Sequence, residues 1–443
     1  MGLRCLLISI NTVTTPYVVF PLGLAHISGA LISRGHHCEQ YDLLVEGGLS
    51  PLADVLQRFD PELIGVSIRN IDTVDSTDPQ FFFEKALHAI EEIKAQTKSY
   101  IVLGGAAFSL FPEAILKKLN ADYGITGEGE GAICDLADQI ENDDAPERGR
   151  IFEGRPNPEK NWPPVSYDNK IAKYYAENGG MLNVQTKRGC PFKCDYCSYP
   201  LLEGNEFRYR DPLEVVSEVK RLGKSYSARY IFFTDSIFND HKGEYLKIAE
   251  ELVRQENKTP WSAYFRPSKL NYDELSLLKR SGLHAIEFGT DASSDRTLKG
   301  MHKSFLFEDV IKSQELADRL KIPTAHFIIF GGPREDEVTF EEGLKNIERL
   351  SRSVVFGFSG IRVIPKTPIH KRAIEEGLVK ASDELLEPFF YFSASIKRSY
   401  IERRLEEDWG ERDIRIFPVT SSFSQVSEMH KMGMPGPLWN MLL

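Results

Sequence analysis

Three thiols, Cys190, Cys194 and Cys197, stand four and three residues apart in Gly189-Cys-Pro-Phe-Lys-Cys-Asp-Tyr-Cys197. Gly189 and Pro191 favour a turn over a helix or strand. A four-iron cluster is normally tied by four thiolates. Three would leave one iron without a protein ligand, and an open metal position is where substrate chemistry takes place in catalytic metal sites. The competing reading is a structural zinc knuckle, which needs a closed fourth position. No further Cys follows Cys197, and the nearest His is His241. A disulfide among three such close thiols is weaker still.

Such a loop needs a rigid platform on both sides. From Met181 onward apolar runs alternate with helical periodicity. Strands are predicted over 182–185, 230–233, 261–265, 284–288, 325–330 and 355–363, with helices between them. Asp211 followed by Pro212 marks one helix start. Six strand-helix units fall short of the eight of a closed barrel, so a partial (β/α)6 TIM-type barrel is expected. Chemistry in parallel barrels sits at the carboxyl ends of the strands. The predicted ends carry Thr234-Asp235-Ser236, Gly289-Thr290-Asp291 and Gly331-Gly332-Pro333.

Residues 1–140 read as five strands, over 3–10, 37–42, 63–68, 99–103 and 123–126, with crossover helices. This predicts an N-terminal doubly wound, flavodoxin- or Rossmann-like parallel sheet, the fold class being α/β throughout. Ligands of such sheets bind past the carboxyl ends of the strands, here Ser67, Arg69, Asn70, Gly104, Gly105, Gly127, Glu128, Gly129 and Glu130. Glycine at strand-to-helix turns is also common where nothing binds. The expected division is a first domain over 1–145, a proline-rich linker over 146–180, the barrel over 181–375 and a small C-terminal cap over 376–443.

With its flanks, Arg188-Gly189-Cys190-Pro191-Phe192 and Asp195-Tyr196-Cys197, the thiol loop resembles the Cys-x3-Cys-x2-Cys loop of the radical S-adenosylmethionine (SAM) superfamily. The resemblance implies a 4Fe-4S cluster whose open iron chelates SAM and whose electron cleaves the sulfonium to a 5′-deoxyadenosyl radical. It also implies SAM contacts from Tyr196, Asp235, Ser236, Asp291, Ser293, Gly331, Gly332, Arg362 and Pro365. Asp291 stands where the subclass usually has Glu. Read alone, Asp235 and Asp291 are helix caps or turns and Arg362 an edge-strand arginine. Pro21-Leu-Gly-Leu-Ala25, Leu103-Gly-Gly105 and Gly127-Glu-Gly-Glu130 resemble the cobalamin-binding domain that precedes the cluster domain in one subclass. An Asp-x-His-x-x-Gly pattern for an axial His is absent, and His26 reads as packing.

The chain has 443 residues and a net charge of -11. That balance excludes a general nucleic-acid binder. No run reaches the roughly 18 apolar residues of a membrane span. Cys5, Cys38 and Cys134 sit in apolar segments without a disulfide framework, which predicts a reducing, cytoplasmic setting. Lys187, Arg188 and Lys193 are candidates to favour thiolate charge. Two apolar sets in the tail, Leu385–Phe392 and Met432–Trp439, are core or, at the barrel mouth, a wall for a bulky apolar or lipid-like substrate. His430 is a candidate proton donor or acceptor. The leading expectation is a radical SAM enzyme that methylates an unactivated carbon with cobalamin. The rivals are radical cyclisation, rearrangement or C–C bond formation on a lipid- or pigment-like substrate, and a non-catalytic cobalamin or redox sensor. Flavodoxin or ferredoxin is the expected electron donor.

Overall fold

The computed structural model describes residues 2–156 and 162–443. Strands β1 (Arg4–Ser9), β2 (His37–Asp42), β3 (Leu63–Ser67), β4 (Tyr100–Gly104), β5 (Tyr123–Gly127) and β6 (Arg150–Gly154) form one sheet in the order β2-β1-β3-β4-β5-β6. Every pair in it is parallel. The middle strands are near-continuous apolar runs because helices cover both faces. The chain moves outward from β1 to β2 and then returns past β1 to β3. That reversal makes a crevice at the carboxyl ends of β1 and β3.

The sixth strand corrects the expected five. Its Arg150–Gly154 lies inside the stretch predicted as linker, as does the helix Asn169–Asn178, capped by Asp168. The rest of that proline-rich stretch falls partly outside the described residues.

The second sheet begins with β7 (Leu182–Val184). A short antiparallel ribbon, β8 (Lys187–Arg188) and β9 (Arg208–Tyr209), brackets the thiol loop. Then come β10 (Ile231–Phe233), β11 (Trp261–Phe265), β12 (Leu283–Asp291), β13 (Thr324–Phe330) and β14 (Ser353–Ser359). The expected last strand is split: β15 (Ile361–Arg362) turns away and pairs antiparallel with β16 (Phe390–Tyr391). The C-terminal region then adds β17 (Arg415–Ile416) parallel to β14. The order β17-β14-β13-β12-β11-β10-β7 therefore has seven strands, one more than expected, and two edges.

The tail spans the gap between those edges. It runs from β17 through the helix Phe423–Lys431, whose His430 lies against Gly180 just before β7. Tyr17, from the loop after β1, packs beside Met181, Tyr230 and Phe232, with its ring 5.7 Å from that of His430. Its Nδ1 meets the Met434 carbonyl at 3.0 Å, and burial pushes the imidazole down, so the expected proton carrier is a neutral packing residue. Of the two apolar tail sets, Tyr391, Phe389 and Phe392 join the core between β13, β14 and the helix Arg398–Trp409.

Buried polar contacts fix the first sheet against the barrel. Asp72 pairs with Arg362 at 2.9 Å, and Tyr175 donates to Asp42 at 3.1 Å. No helix among the described residues is long and apolar enough to cross a membrane.

Candidate active site

The thiol loop is held from below by Gly189, at φ +86°. A Cβ there would lie 2.0 Å from the Glu206 carbonyl oxygen, so only glycine fits. Ser236 Oγ donates to the Gly189 carbonyl at 3.0 Å, and Cys190 N donates to the Gly204 carbonyl at 3.1 Å. Asp195 anchors the far side. It is buried, takes hydrogen bonds or charge from His302 and Arg372, and its carbonyl accepts from Ile369 N at 3.0 Å. Cys190 is thereby buried, while Cys194 and Cys197 keep partial exposure.

Burial pushes the Cys190 and Cys197 thiols up, Cys197 to about 12. Ionised sulfur here needs positive charge close by. Lys303 supplies it: Nζ donates to Cys194 Sγ at 3.3 Å and to the Asp291 carboxylate. Arg266, at the end of β11, stacks on Phe192 with its guanidinium carbon 4.2 Å from the ring centroid, within electrostatic reach of Cys194 and Cys190. The expected cations are placed otherwise. Lys187 is buried against Asp235 at 3.1 Å and the Phe238 carbonyl at 2.7 Å, Arg188 faces the first sheet, and Lys193 is exposed. Neither Lys303 nor Arg266 carries a local sequence signal.

The remaining residues named from the sequence divide. Tyr196, Ser236 and Asp291 surround the loop, and Lys303 Nζ sits 5.5 Å from the Tyr196 ring centroid. Asp235 is engaged within the chain. Its two oxygens accept from Thr186 N at 2.7 Å, Thr186 Oγ1, Lys187 N at 3.3 Å and Lys187 Nζ. A carboxylate has about four acceptor sites, and these contacts make Asp235 a brace for the segment leading into the loop. Arg362 has partners within the chain as well. It is engaged by Asp72 and by the carbonyls of Val363, Leu385 and Leu386. Ser293 faces the helix Glu337–Glu348, where a Cβ on Gly343 would meet its Oγ at 2.3 Å. Gly331 and Gly332 allow close approach of Phe392 and Met301. Pro365 is half-buried on the turn after β15.

A cavity of about 380 Å³ opens at the carboxyl ends of β3, β4 and β5. Ser67, Gly104, Gly105, Gly127, Glu128, Gly129 and Glu130 line it, as the sequence suggested. Arg69 and Asn70 do not. They border a separate small pocket with Asn11 and Thr12. The two acids are engaged: Arg188 reaches Glu128 at 3.1 Å and Glu130 at 2.6 Å, and Arg208 also binds Glu128. Burial works against the Glu130 carboxylate, but Arg188 outweighs it and holds Glu130 at about 2. A Cβ added at Gly23 would meet nothing within 4 Å, so it would stand in the open cavity. The opposite wall is Arg188, Tyr199, Leu202 and Glu203, residues that immediately precede and follow the thiol loop. The loop and the cavity therefore share one wall.

The barrel interior is open as well. Along β11, Ala263 and Phe265 are 0% and 1% exposed toward the helices, yet Tyr264 between them is 36% exposed. Phe327 and Ile329 on β13, and Phe356 and Phe358 on β14, repeat the pattern. Alternate residues of a strand point to opposite faces, so the accessible set is the inner one.

Residues 184–347 match the radical SAM superfamily, and residues 8–137 match the B12 binding domain. The chain is a radical SAM enzyme with a B12-binding domain. Its thiol loop lies in the first match, and the glycine-lined cavity joins the two. An uncharacterised methyltransferase of Pyrococcus horikoshii is 25% identical over 74% of this chain and 73% of its own length. The tryptophan 2-C-methyltransferase of Streptomyces laurentii is 24% identical over 84% of this chain and 74% of its own. An anaerobic magnesium-protoporphyrin IX monomethyl ester cyclase of Rubrivivax gelatinosus is 30% identical over 36% of this chain and 29% of its own. The radical SAM methyltransferase TsrM from Kitasatospora setae, solved with cobalamin and a 4Fe-4S cluster, superposes with a TM-score of 0.86 at 21% identity, covering 100% of this chain and 97% of that one. That likeness shows the fold.

The donor set of this radical SAM chain fits the cluster better than zinc. Thiolates around one tetrahedral zinc lie roughly 3.8 Å apart, from a Zn–S bond of about 2.3 Å. Among the described residues, only His36, Asp138 and Glu141 form a group of three His, Cys, Asp or Glu donors within 4.8 Å of one another. The three thiols do not all lie within that distance of one another. The cavity fits a large planar group for a different reason: its rim is glycine, and the acids near it are already neutralised by arginine.

Proposed function

We propose that this radical SAM enzyme transfers a methyl group to carbon, with the cluster at Cys190, Cys194 and Cys197 and the corrinoid over the glycine rim of β3, β4 and β5. The observation that carries the reading is the shared wall. Arg188, Tyr199, Leu202 and Glu203 flank the cluster loop on both sides in the chain and line the cavity. A methyl carrier and a SAM-cleaving centre must address one reacting atom, and here one segment of chain borders both. When bound, the cluster supplies the electron that cleaves SAM, and the corrinoid carries the methyl group.

The chain's own residues do the positioning. Lys303 and Arg266 stabilise negative charge at the thiols. Asp235 and Ser236 fix the segments entering and leaving the loop. Asp291, Tyr196 and Ser236 are the SAM contacts this geometry favours, with Lys303 added to them. The Arg188 pairs with Glu128 and Glu130 tie the cavity wall to the segment that enters the thiol loop. The open barrel interior takes a small molecule. An oxygen-sensitive cluster of this kind calls for a reducing cytoplasm and a one-electron donor such as flavodoxin or ferredoxin.

The test is anaerobic turnover with methyl-labelled SAM and reduced cluster. Label in the product supports methyl transfer. SAM cleavage without label in the product supports cyclisation or rearrangement, and a cyclase is among the relatives. No cleavage at all leaves a sensor. The visible spectrum of anaerobically purified protein reports cluster and corrinoid separately.

A further inference from the structure

Glu287 lies in the middle of β12 on the inner face of the barrel, and is 3% exposed. Inner-face carboxylates in an apolar barrel need a partner. It has one: Trp439 Nε1 donates to Oε1 at 3.0 Å. Among the described residues, no hydrogen bond or ion pair reaches Oε2. No Lys, Arg or His pairs with it.

The layers around Glu287 explain how it is reached. Ala285, Ala325 and Val354 form the lower layer with Ile416, and their small side chains make room for the Trp439 ring, brought in by the tail. Trp439 is thus a floor, not a wall at the mouth. Glu287 stands at the top of that layer, two residues past Ala285 and in register with Tyr264 on β11 and Ala325 on β13. Above the floor the accessible inner side chains are Tyr264, Phe327, Ile329, Phe356 and Phe358. Phe327 and Phe356 stack at 5.2 Å and 11°. Four rings and Ile329 line the chamber, and just above its floor one carboxylate oxygen has no partner among the described residues.

We infer that this chamber binds a flat aromatic substrate bearing an N–H group, and that Glu287 accepts the hydrogen bond that orients it. The inference rests on reading the barrel interior as the substrate space of the proposed reaction. Ring faces favour a planar apolar body. The acceptor character follows from Trp439, whose N–H already holds Oε1 as an acceptor and leaves Oε2 to a second donor. A charge-assisted hydrogen bond of this kind is about twice as strong as a neutral one. The group it selects for is a donor, because an analogue without it leaves a buried oxygen unpaired. Burial pushes Glu287 up to about 7, so the acceptor form grows as pH rises through neutrality. The groups within electrostatic reach of it are Tyr17, Tyr230 and Tyr264, all neutral there, with the Trp439 N–H.

The probes are indole and its isostere benzothiophene, titrated calorimetrically into the reconstituted holoenzyme at pH 8. Indole should bind at least ten-fold more tightly, about 1.4 kcal/mol. Glu287→Leu should bring the two within about two-fold. Glu287→Gln keeps the shape if the leucine variant does not fold, and should lose most of the preference. At pH 6 the wild-type preference should shrink. Failure to bind either probe, equal affinity for both, or a preference that survives both substitutions overturns the inference. So does a fall in melting temperature with the preference intact, which would make Glu287 only a latch for the tail. Binding is read without turnover. SAM cleavage with no indole preference therefore sinks this inference alone, and the preference without cleavage sinks the proposed reaction alone.

Discussion

The two parallel sheets of this enzyme are built from similar strands but leave surface open in opposite places. The first sheet is covered by helices on both faces, and a large opening lies at its carboxyl edge, where glycines of β3, β4 and β5 form a rim. The second is curled with edges at β7 and β17, and its inner face is accessible along β11, β13 and β14. A fully wound sheet can offer a ligand only backbone and loop at its rim. A partial barrel can offer side chains from several strands, as Tyr264, Glu287 and Phe327 do. The first arrangement suits a large cofactor held by shape. The second suits a small substrate held by particular groups.

The contrast can be broken at four points. The largest effect is expected at the seam. Cys194→Ala should remove the cluster iron and at least 100-fold of SAM cleavage, while cobalamin binding at the other sheet stays within about two-fold. Iron assay, product chromatography and corrinoid titration check it, and joint loss would show that the two sites are not separable. Next is Arg188, which bridges the sheets. Arg188→Ala leaves Glu128 and Glu130 with a buried cation removed and should cost about 3–5 kcal/mol in denaturant unfolding.

The third point concerns the barrel alone. Burial raises both Glu287 and Glu335 from 4.5 to about 7. Their protonated forms suit the folded state, so their contribution is full below pH 4.5 and is lost as pH rises through 7. Each substitution to Gln should flatten the fall of stability between pH 4.5 and 8 by up to about 3 kcal/mol. Melting curves across that range decide it, and an unchanged slope would mean the carboxyls are better solvated than their burial implies. The smallest effects are expected at the two rims. Asp291→Ala should weaken SAM binding about ten-fold, near 1.4 kcal/mol, with iron content unchanged. Gly23→Ala should raise the stability of the cofactor-free protein by up to about 1 kcal/mol through helix propensity. The same methyl, standing in the cavity, should weaken cobalamin several-fold. Unaltered corrinoid affinity would place the cofactor elsewhere.

Much of this was legible in the chain. The thiol spacing, the Asp211-Pro212 helix start and the apolar runs are local signals, set by neighbours within a few residues. The glycine rim was legible too, since positive φ and close approach are local demands. The site's polar partners were not. Asp235 looked like a ligand contact because it ends a strand, but its partners Thr186 and Lys187 lie some fifty residues earlier. Arg362 looked the same and is bound to Asp72, 290 residues away. Lys303 and Arg266 carry no motif, and only the curl of the sheet brings both to the thiols. β17 is two residues long, too short for any periodicity to mark.

The alternation of strand and helix, the three-thiol loop and the glycines at strand ends were written in the order of residues, because each depends on backbone preference and short-range pattern. Tertiary structure alone decided which charges face which. It turned Asp235 and Arg362 into braces, brought Lys303 to Cys194, and carried Trp439 from the end of the chain to Glu287. Those pairings depend on distances through space that no local run of residues encodes.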